Sequence, residues 1–377
     1  MKINIVQGAF LPVPALLGGA VEKWWFNLGR EFARRGHVVT HVSRAFPGLP
    51  EREIAQGVSH LRVAGFQTPK SLLWLKMLDL LYSLRAVHVL PPADILVTNT
   101  FWLPIVCRRP DAGLIYVHVA RFPKGQMRLY ARAARLQAVS GAVRDAIIEQ
   151  APGFAAKVCV KPAPLSDEML ADTLVRTSLN YRLCYAGRIH PEKGLELLLN
   201  AFALLVQRGL RRWKLRLIGP WEISQGGGGK MFLEQLKKIA AGMEQQVEFL
   251  EPEFNEAALR KNYERSDLFV YPSLAERGES FGAAPLEAMA AHCPALVSNL
   301  ACFRDFIRDG ENGFVFDHRA ADPVAELAGK LELLLQSPDQ LFMVGKRARA
   351  TAENFSVPRV AGQYLEDFEQ LIQPCRK

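Results

Sequence analysis

Residues 271–298 read YPSLAERGESFGAAPLEAMAAHCPALVS, and their reading decides the fold of the chain. The apolar run from Asp267 through Leu268, Phe269 and Val270 to Tyr271 has the length of a short buried strand. Pro272 and Ser273 stop it, and the loop behind them carries Glu276, Gly278, Glu279 and Gly282. From about Ala284 the apolar positions Leu286, Met289 and Ala290 recur at helical spacing, which puts Glu287 in the first turn of a helix. Pro294 ends that helix, and Ala295–Ser298 is again strand-like. A helix N-terminus exposes unpaired N–H groups and a partial positive charge, which suits phosphate. Carboxylates beside it accept hydrogen bonds from hydroxyls, each worth roughly 1.5–3 kcal/mol. Together they suit a ligand with both phosphates and hydroxyls. On the residues alone, Glu287 can equally well only complete the helix dipole and Glu279 be a solvated loop charge.

The same alternation recurs along the chain. Lys2–Val6 reads as a buried strand, followed by a loop with Pro12, Pro14, Gly18 and Gly19. An amphipathic helix from Ala20 to about Arg35 follows, with Val21, Trp25, Leu28 and Phe32 on one side. Gly36 caps it, and residues 37–43 return as a strand. Residues 94–99 and 113–118 are two further apolar strands, the second ending at His118. In parallel sheets such carboxyl ends face the ligand. Arg121, Lys124, Arg128, Arg132 and Arg135 follow at spacings of three and four, which places them on one helical face. That face is either a solvated stripe or a patch for an anionic acceptor or membrane surface. Residues 181–186 begin a second round of the same alternation. The loop after them, Gly187 to Gly194 (GRIHPEKG), sets Arg188 and Lys193 around a helix start, as a pyrophosphate requires. Gly226–Gly229 form a glycine-rich insertion, either a lid or a disordered loop.

Composition sets outer bounds. A chain of 377 residues with 49% hydrophobic content is long enough for two domains with separate cores. No apolar run approaches the length of a spanning helix, and the stretch from Ser71 to Leu90 is broken by Lys76, Asp79 and Arg85. The N-terminus lacks a signal peptide's apolar core, so a cytoplasmic protein is expected. Cys107, Cys159, Cys184, Cys293, Cys302 and Cys375 have no metal-ligand spacing and suit reduced core thiols. Residues 1–166 carry 21 Lys and Arg against 9 Asp and Glu, net +12, and the remainder carries 26 against 29, net −3. The first half therefore expects an anionic partner. No groove-reading element accompanies that charge, so nucleic acid is not expected.

Pro272-Ser273, Glu279-Ser280-Phe281-Gly282, Glu287-Ala288-Met289-Ala290 and Pro294 resemble the signature of the retaining glycosyltransferases of family 4, with seven residues between the two glutamates. One departure is His292-Cys293-Pro294, where the family usually has glycine before x-Pro. The resemblance implies an α/β fold of GT-B type, with two doubly wound Rossmann-like domains facing across a cleft. Residues 1–166, joined by a terminal helix over about 356–377, would form the acceptor-binding domain, and residues 167–355 the nucleotide-sugar-binding domain.

The implied catalytic residues are Glu279, His118, Arg188 and Lys193. The implied donor-binding residues are Gly19, Arg188, Lys193, Glu279, Phe281, Gly282, Ala283 and Glu287. Among them, Glu279 would hold a hydroxyl of the sugar, Glu287 the ribose hydroxyls, and Arg188 with Lys193 the departing diphosphate. His118 would orient a sugar hydroxyl or the acceptor.

No cofactor or metal is expected, in line with the lack of an Asp-x-Asp motif. The expected reaction moves a sugar from a UDP-sugar, or a GDP-sugar, to an anionic, lipid-linked or saccharide acceptor, with peripheral contact at the inner face of an anionic membrane. A nucleotide-sugar epimerase or phosphorylase on the same fold, or a sugar-binding protein without catalysis, are the alternatives.

Overall fold

The computed structural model describes residues 1–172 and 178–373. The chain forms two compact units, Met1–Pro164 with Val357–Lys377, and Leu165–Ser356.

In the first unit the apolar runs form β1 (Lys2–Val6), β2 (Val38–Arg44), β3 (Arg52–Ala55), β4 (Val58–Val63), β5 (Ile95–Thr98), β6 (Leu114–Val119), β7 (Arg135–Ala138) and β8 (Val158–Val160). They make one sheet in the order β3-β4-β2-β1-β5-β6-β7-β8. Every pairing is parallel except β3 with β4. That hairpin turns through Gln56 and Gly57, both at positive φ, the geometry that matches strand twist. The helices of this unit's first segment are α1 (Ala20–Arg34), α2 (Leu72–Val89), α3 (Leu103–Val106) and α4 (Gly141–Gln150).

Residues 121–135 are not one helix, contrary to the spacing of their cations. Pro123 and Gly125 interrupt the segment, only Met127–Tyr130 make a single 3-10 turn, and Arg135 opens β7. Arg135 is bound to Asp367 at 2.6 Å, and Arg128 donates to the Gln150 carbonyl at 2.7 Å. The five cations therefore share no face.

The second unit contains β9 (Arg182–Ala186), β10 (Lys214–Ile218), β11 (Val247–Leu250), β12 (Leu268–Tyr271), β13 (Ala295–Ser298) and β14 (Phe314–Phe316), all paired in parallel in the order β11-β10-β9-β12-β13-β14. Its helices are α5 (Leu195–Gln207), α6 (Gly229–Ile239), α7 (Glu256–Glu264), α8 (Ala283–Ala290), α9 (Pro323–Leu335) and α10 (Pro338–Ala352). Chain order runs outward from β9 on one side and then resumes on the other at β12. The crevice where the order reverses lies outside the carboxyl ends of β9 and β12.

The last helix, α11 (Val357–Ile372), belongs to the first unit. Val360, Tyr364 and Phe368 are fully buried against Trp25, Phe32 and Tyr116, with ring centroids of Trp25 and Tyr364 5.1 Å apart and those of Tyr116 and Phe368 4.9 Å apart. Asp367, also buried, accepts from the Tyr116 hydroxyl at 2.8 Å as well as from Arg135.

Cys107, Cys184, Cys293 and Cys302 are buried, and Cys159 is half-buried. Cys375 and the end of the expected terminal helix lie outside the described residues.

Candidate active site

In the second unit the loops that leave β9 and β12 are tied together. The Leu274 N–H donates to the Glu192 carbonyl at 2.8 Å. This brings Lys193, which immediately precedes Gly194 and α5, to Glu279: Nζ donates to Oε2 at 2.6 Å. The two side chains are only 6% and 10% exposed. The same carboxylate oxygen accepts from the Tyr271 hydroxyl and the Ser273 hydroxyl, both at 3.1 Å. Glu279 is thus a buried, three-fold hydrogen-bonded carboxylate and not a solvated loop charge. Burial, reinforced by the Glu279 charge, pushes the Tyr271 and Tyr185 hydroxyls far above the ordinary phenol range, so both stay protonated donors. Those rings stack 5.6 Å apart at the carboxyl ends of β12 and β9. Tyr271 and Ser273 were visible in the sequence only as a strand end and its stop. Their hydroxyls, eight and six residues before Glu279, are the partners that the sequence pattern does not reveal.

Arg188 opens the same loop and is less buried, with its side chain 43% exposed. One guanidinium nitrogen donates to Glu192 at 2.6 Å and the other to the Gly226 carbonyl at 2.9 Å. Gly226 belongs to the glycine-rich insertion, which is a built turn. Gly227 donates to the Glu222 carbonyl, Gly228 to that of Ile189 and Gly229 to that of Trp221, each at 2.8 Å. The insertion therefore holds Arg188 from one side while Glu192 holds it from the other. Tyr185 completes the arrangement by donating to the Arg188 carbonyl at 2.8 Å.

The helix after Glu279 begins one residue earlier than its sequence pattern suggests, at Ala283. Glu287 is its fifth residue and lies in the second turn, so the expected first-turn position is corrected. Its Oε2 accepts from the Tyr263 hydroxyl at 3.3 Å. Gly282, at φ 83, caps α8, and a Cβ there would stand 2.4 Å from the Phe303 ring, so only glycine fits. The Phe281 ring is buried against Phe306, with centroids 5.4 Å apart, and so has only its backbone to offer a ligand. Ala283 supplies the first helical N–H of α8.

His118 and Gly19 belong to the first unit. His118, the penultimate residue of β6, is buried, edge-on to Trp25 at 5.4 Å and Trp24 at 6.3 Å. Desolvation holds its pKa down to about 4, so the ring is neutral at pH 7. Its Nδ1 meets the Gln137 Oε1, and the Gln137 amide nitrogen donates to the carbonyls of Ala138 and Lys161 at 2.7 and 2.8 Å. The glutamine oxygen therefore faces the ring, which assigns the proton to Nδ1 and leaves Nε2 as a bare acceptor. Nε2 is buried without a partner among the described residues. Gly19, at φ 106, precedes α1, and a Cβ there would lie 2.3 Å from the Glu22 carboxylate. That carboxylate is buried, which raises its pKa.

Residues 175–351 match the family described as glycosyl transferases group 1. A D-inositol 3-phosphate glycosyltransferase of Rhodococcus erythropolis is 34% identical over 191 residues, which cover 49% of this chain and 40% of that protein, so less than half of the relative is spanned. Sucrose-phosphate synthase from Thermosynechococcus elongatus shares the fold over 99% of this chain and 100% of its own, with a TM-score of 0.81 at 18% identity. An Anabaena protein, HepE, solved in complex with UDP and glucose, aligns over 98% of this chain and 99% of its own, with a TM-score of 0.70 and 18% identity. Residues 175–351 thus resemble the glycosyl transferases of group 1, and the two Rossmann-like units have the GT-B fold of these solved structures.

Proposed function

We propose that the protein is a retaining glycosyltransferase. It moves a hexose from a nucleotide sugar, a UDP-sugar first and a GDP-sugar second, to an anionic, lipid-linked or saccharide acceptor. The observation that carries this reading is the buried Lys193–Glu279 pair at the reversal point of the second sheet, with Arg188 held beside it. An ammonium ion has three donors, and Glu279 uses one of Lys193's, leaving donors for a diphosphate. Arg188 adds a half-exposed guanidinium, and the N-terminus of α8 adds free amides. On this reading the negative charge of the leaving diphosphate is met by these groups, without a required metal or cofactor. Glu279 accepts a sugar hydroxyl and stabilises positive charge as the glycosidic bond breaks. Glu287, oriented by Tyr263, accepts the ribose hydroxyls. The cationic first unit holds the acceptor, and the bare Nε2 of His118 accepts a hydroxyl of the sugar or acceptor. The relatives support the reading in kind: one is named a glycosyltransferase, and one was solved with UDP and glucose.

Calorimetric titration with UDP, GDP and ADP, alongside sugar-transfer rates, tests it. UDP is expected to bind most tightly. Glu279→Gln is expected to cut turnover severely and leave UDP affinity nearly unchanged. Glu287→Gln is expected to weaken UDP binding by about 1–3 kcal/mol, the cost of a lost bond to a charged group, with less effect on turnover at saturating donor. Arg188→Ala is expected to lower turnover tenfold or more, in the range of a lost charge-stabilising donor. The reading fails if no nucleoside diphosphate binds, or if neither glutamate variant alters binding or rate.

A further inference from the structure

We propose that α2 is a docking helix that lies in the interfacial layer of an anionic lipid surface. The usual polarity of a surface helix is inverted in it. Asp79, Tyr82, Ser83 and Ala86 point inward and are buried, with Asp79 accepting from the backbone N–H groups of Phe101 and Trp102 at 3.1 Å each. Leu73, Met77, Leu81 and Leu84, spaced four, four and three residues apart, form an outward stripe with Leu72 and Trp74 at one end. Their exposures run from 46% to 69%. Single exposed apolar side chains are ordinary. Six on one helix, opposite a polar inner face, form a contiguous apolar surface that calls for a partner.

Charge selects the partner. Residues 54–93 contain a single acidic residue, Asp79, and it is the buried one. Lys70 lies just before the helix, and Arg85 and His88 are exposed along it. Lys76 sits 4.6 Å over the Phe101 ring at the edge of the stripe. An apolar stripe flanked by cations, with no exposed acid among them, matches acyl chains beneath anionic headgroups. Two copies of this face would instead set like charges against each other. Trp74 has the amphipathic ring that settles at headgroup depth. An 18-residue helix is about 27 Å long, and it lies along such a surface. No helix among the described residues is long and apolar enough to cross a membrane. Nothing in this inference depends on the catalytic reading, since α2 carries none of the proposed site residues.

Co-sedimentation of the full chain with phosphatidylcholine vesicles, with and without phosphatidylglycerol, is the test. The mixed vesicles are expected to bind the protein at least tenfold more tightly than neutral ones, with binding weakened by salt. The triple variant Leu73→Ser, Met77→Ser, Leu81→Ser is expected to lose at least tenfold in vesicle affinity while its melting temperature and circular dichroism stay those of the wild type. Met231→Ser with Met343→Ser, exposed in the second unit, is expected to bind like the wild type. Vesicles should also shift the tryptophan emission to the blue, less so in Trp74→Phe. The proposal is overturned by binding to neither vesicle, or by a triple variant that binds unchanged. It is also overturned by a concentration-dependent dimer that the triple variant abolishes in the absence of vesicle binding, which would make a second copy the occupant.

Discussion

Removing one partner of the Lys193–Glu279 pair leaves a charge that is almost wholly buried and uncompensated, whereas removing both leaves neutral groups of similar shape. Lys193→Met alone is therefore expected to destabilise the second unit by about 3–5 kcal/mol, and the double variant Lys193→Met, Glu279→Gln to recover a large part of that loss. Urea denaturation of the two singles and the double closes the cycle, and additive single effects would show that the pair is not coupled. His118 offers a different test. Burial takes its pKa from the ordinary 6.5 to about 4, so between those values the folded protein binds fewer protons than the unfolded chain. Its contribution to stability is complete above pH 6.5 and is lost as the pH falls toward 4. Its imidazole resonances are expected to remain those of the neutral, Nδ1-protonated form at pH 5.5, and a protonated ring at that pH would contradict the assignment. At this scale the sequence marked Glu279, both cations and the histidine because each sits at a strand end or glycine loop, and Glu287 because a helical pattern surrounds it. It did not mark Tyr271, Ser273 or Gln137, because a hydroxyl or amide becomes a partner only once the sheet places its strand beside another.

The elements most readable in sequence were those whose apolar pattern agrees with their surroundings: β1, α1, β12, α8 and β13. The hairpin of β3 and β4 was not, since its turn is Gln56-Gly57 and lacks the Asn-Gly or Asp-Gly pair that signals such a turn. Helix α2 carries no ordinary amphipathic stripe, because Asp79, Tyr82 and Ser83 face the core while leucines face outward. Asp79 shows the consequence of that inversion. Burial raises its carboxyl from the ordinary 3.8 to about 6, so the folded state is favoured as the pH falls through 6 and disfavoured above it. Asp79→Asn, which keeps an acceptor for Phe101 and Trp102, is expected to stabilise the protein at pH 7 by up to about 3 kcal/mol, a gain that disappears toward pH 4. Denaturation of both proteins across that range checks it, and a pH-independent difference would locate the effect elsewhere. The helix pair α8 and α10 makes a second case. His292 follows α8 at φ 57, so the histidine itself takes the left-handed position where glycine is usual. Its carbonyl would stand 2.5 Å from a Cβ on Gly345 of α10. Gly345→Ala is expected to cost about 1–3 kcal/mol as overpacking, and an unchanged urea midpoint would show that α10 gives way freely.

At the scale of the whole molecule, the first unit is completed by residues nearly 200 positions beyond its last strand. The periodicity of Val360, Tyr364, Phe368 and Leu371 announces a helix, and the family resemblance says where it goes; nothing in the local pattern names Trp25, Phe32 and Tyr116 as its partners. Val360, Tyr364, Leu365, Phe368 and Ile372 are all buried in that core. At about 1.5–3 kcal/mol for each large apolar side chain, their burial contributes on the order of 10 kcal/mol, comparable to the whole net stability of a domain. Loss of α11 also leaves Arg135 without its buried carboxylate partner Asp367. A chain ending at Ser356 is therefore expected to lose the cooperative fold of the first unit. The second unit, whose sheet and site residues all lie within Leu165–Ser356, is expected to keep both its fold and its UDP affinity. Hydrogen exchange read by mass spectrometry separates the two: amides of β1, β5 and β6 should exchange freely in the truncated chain, while those of β9, β12 and β13 stay protected and gain protection with UDP. Protected β1 and β6 strands in that chain would mean that α11 covers the first core without being needed for it. Loss of protection in β9 and β12 would mean that the two units do not fold independently.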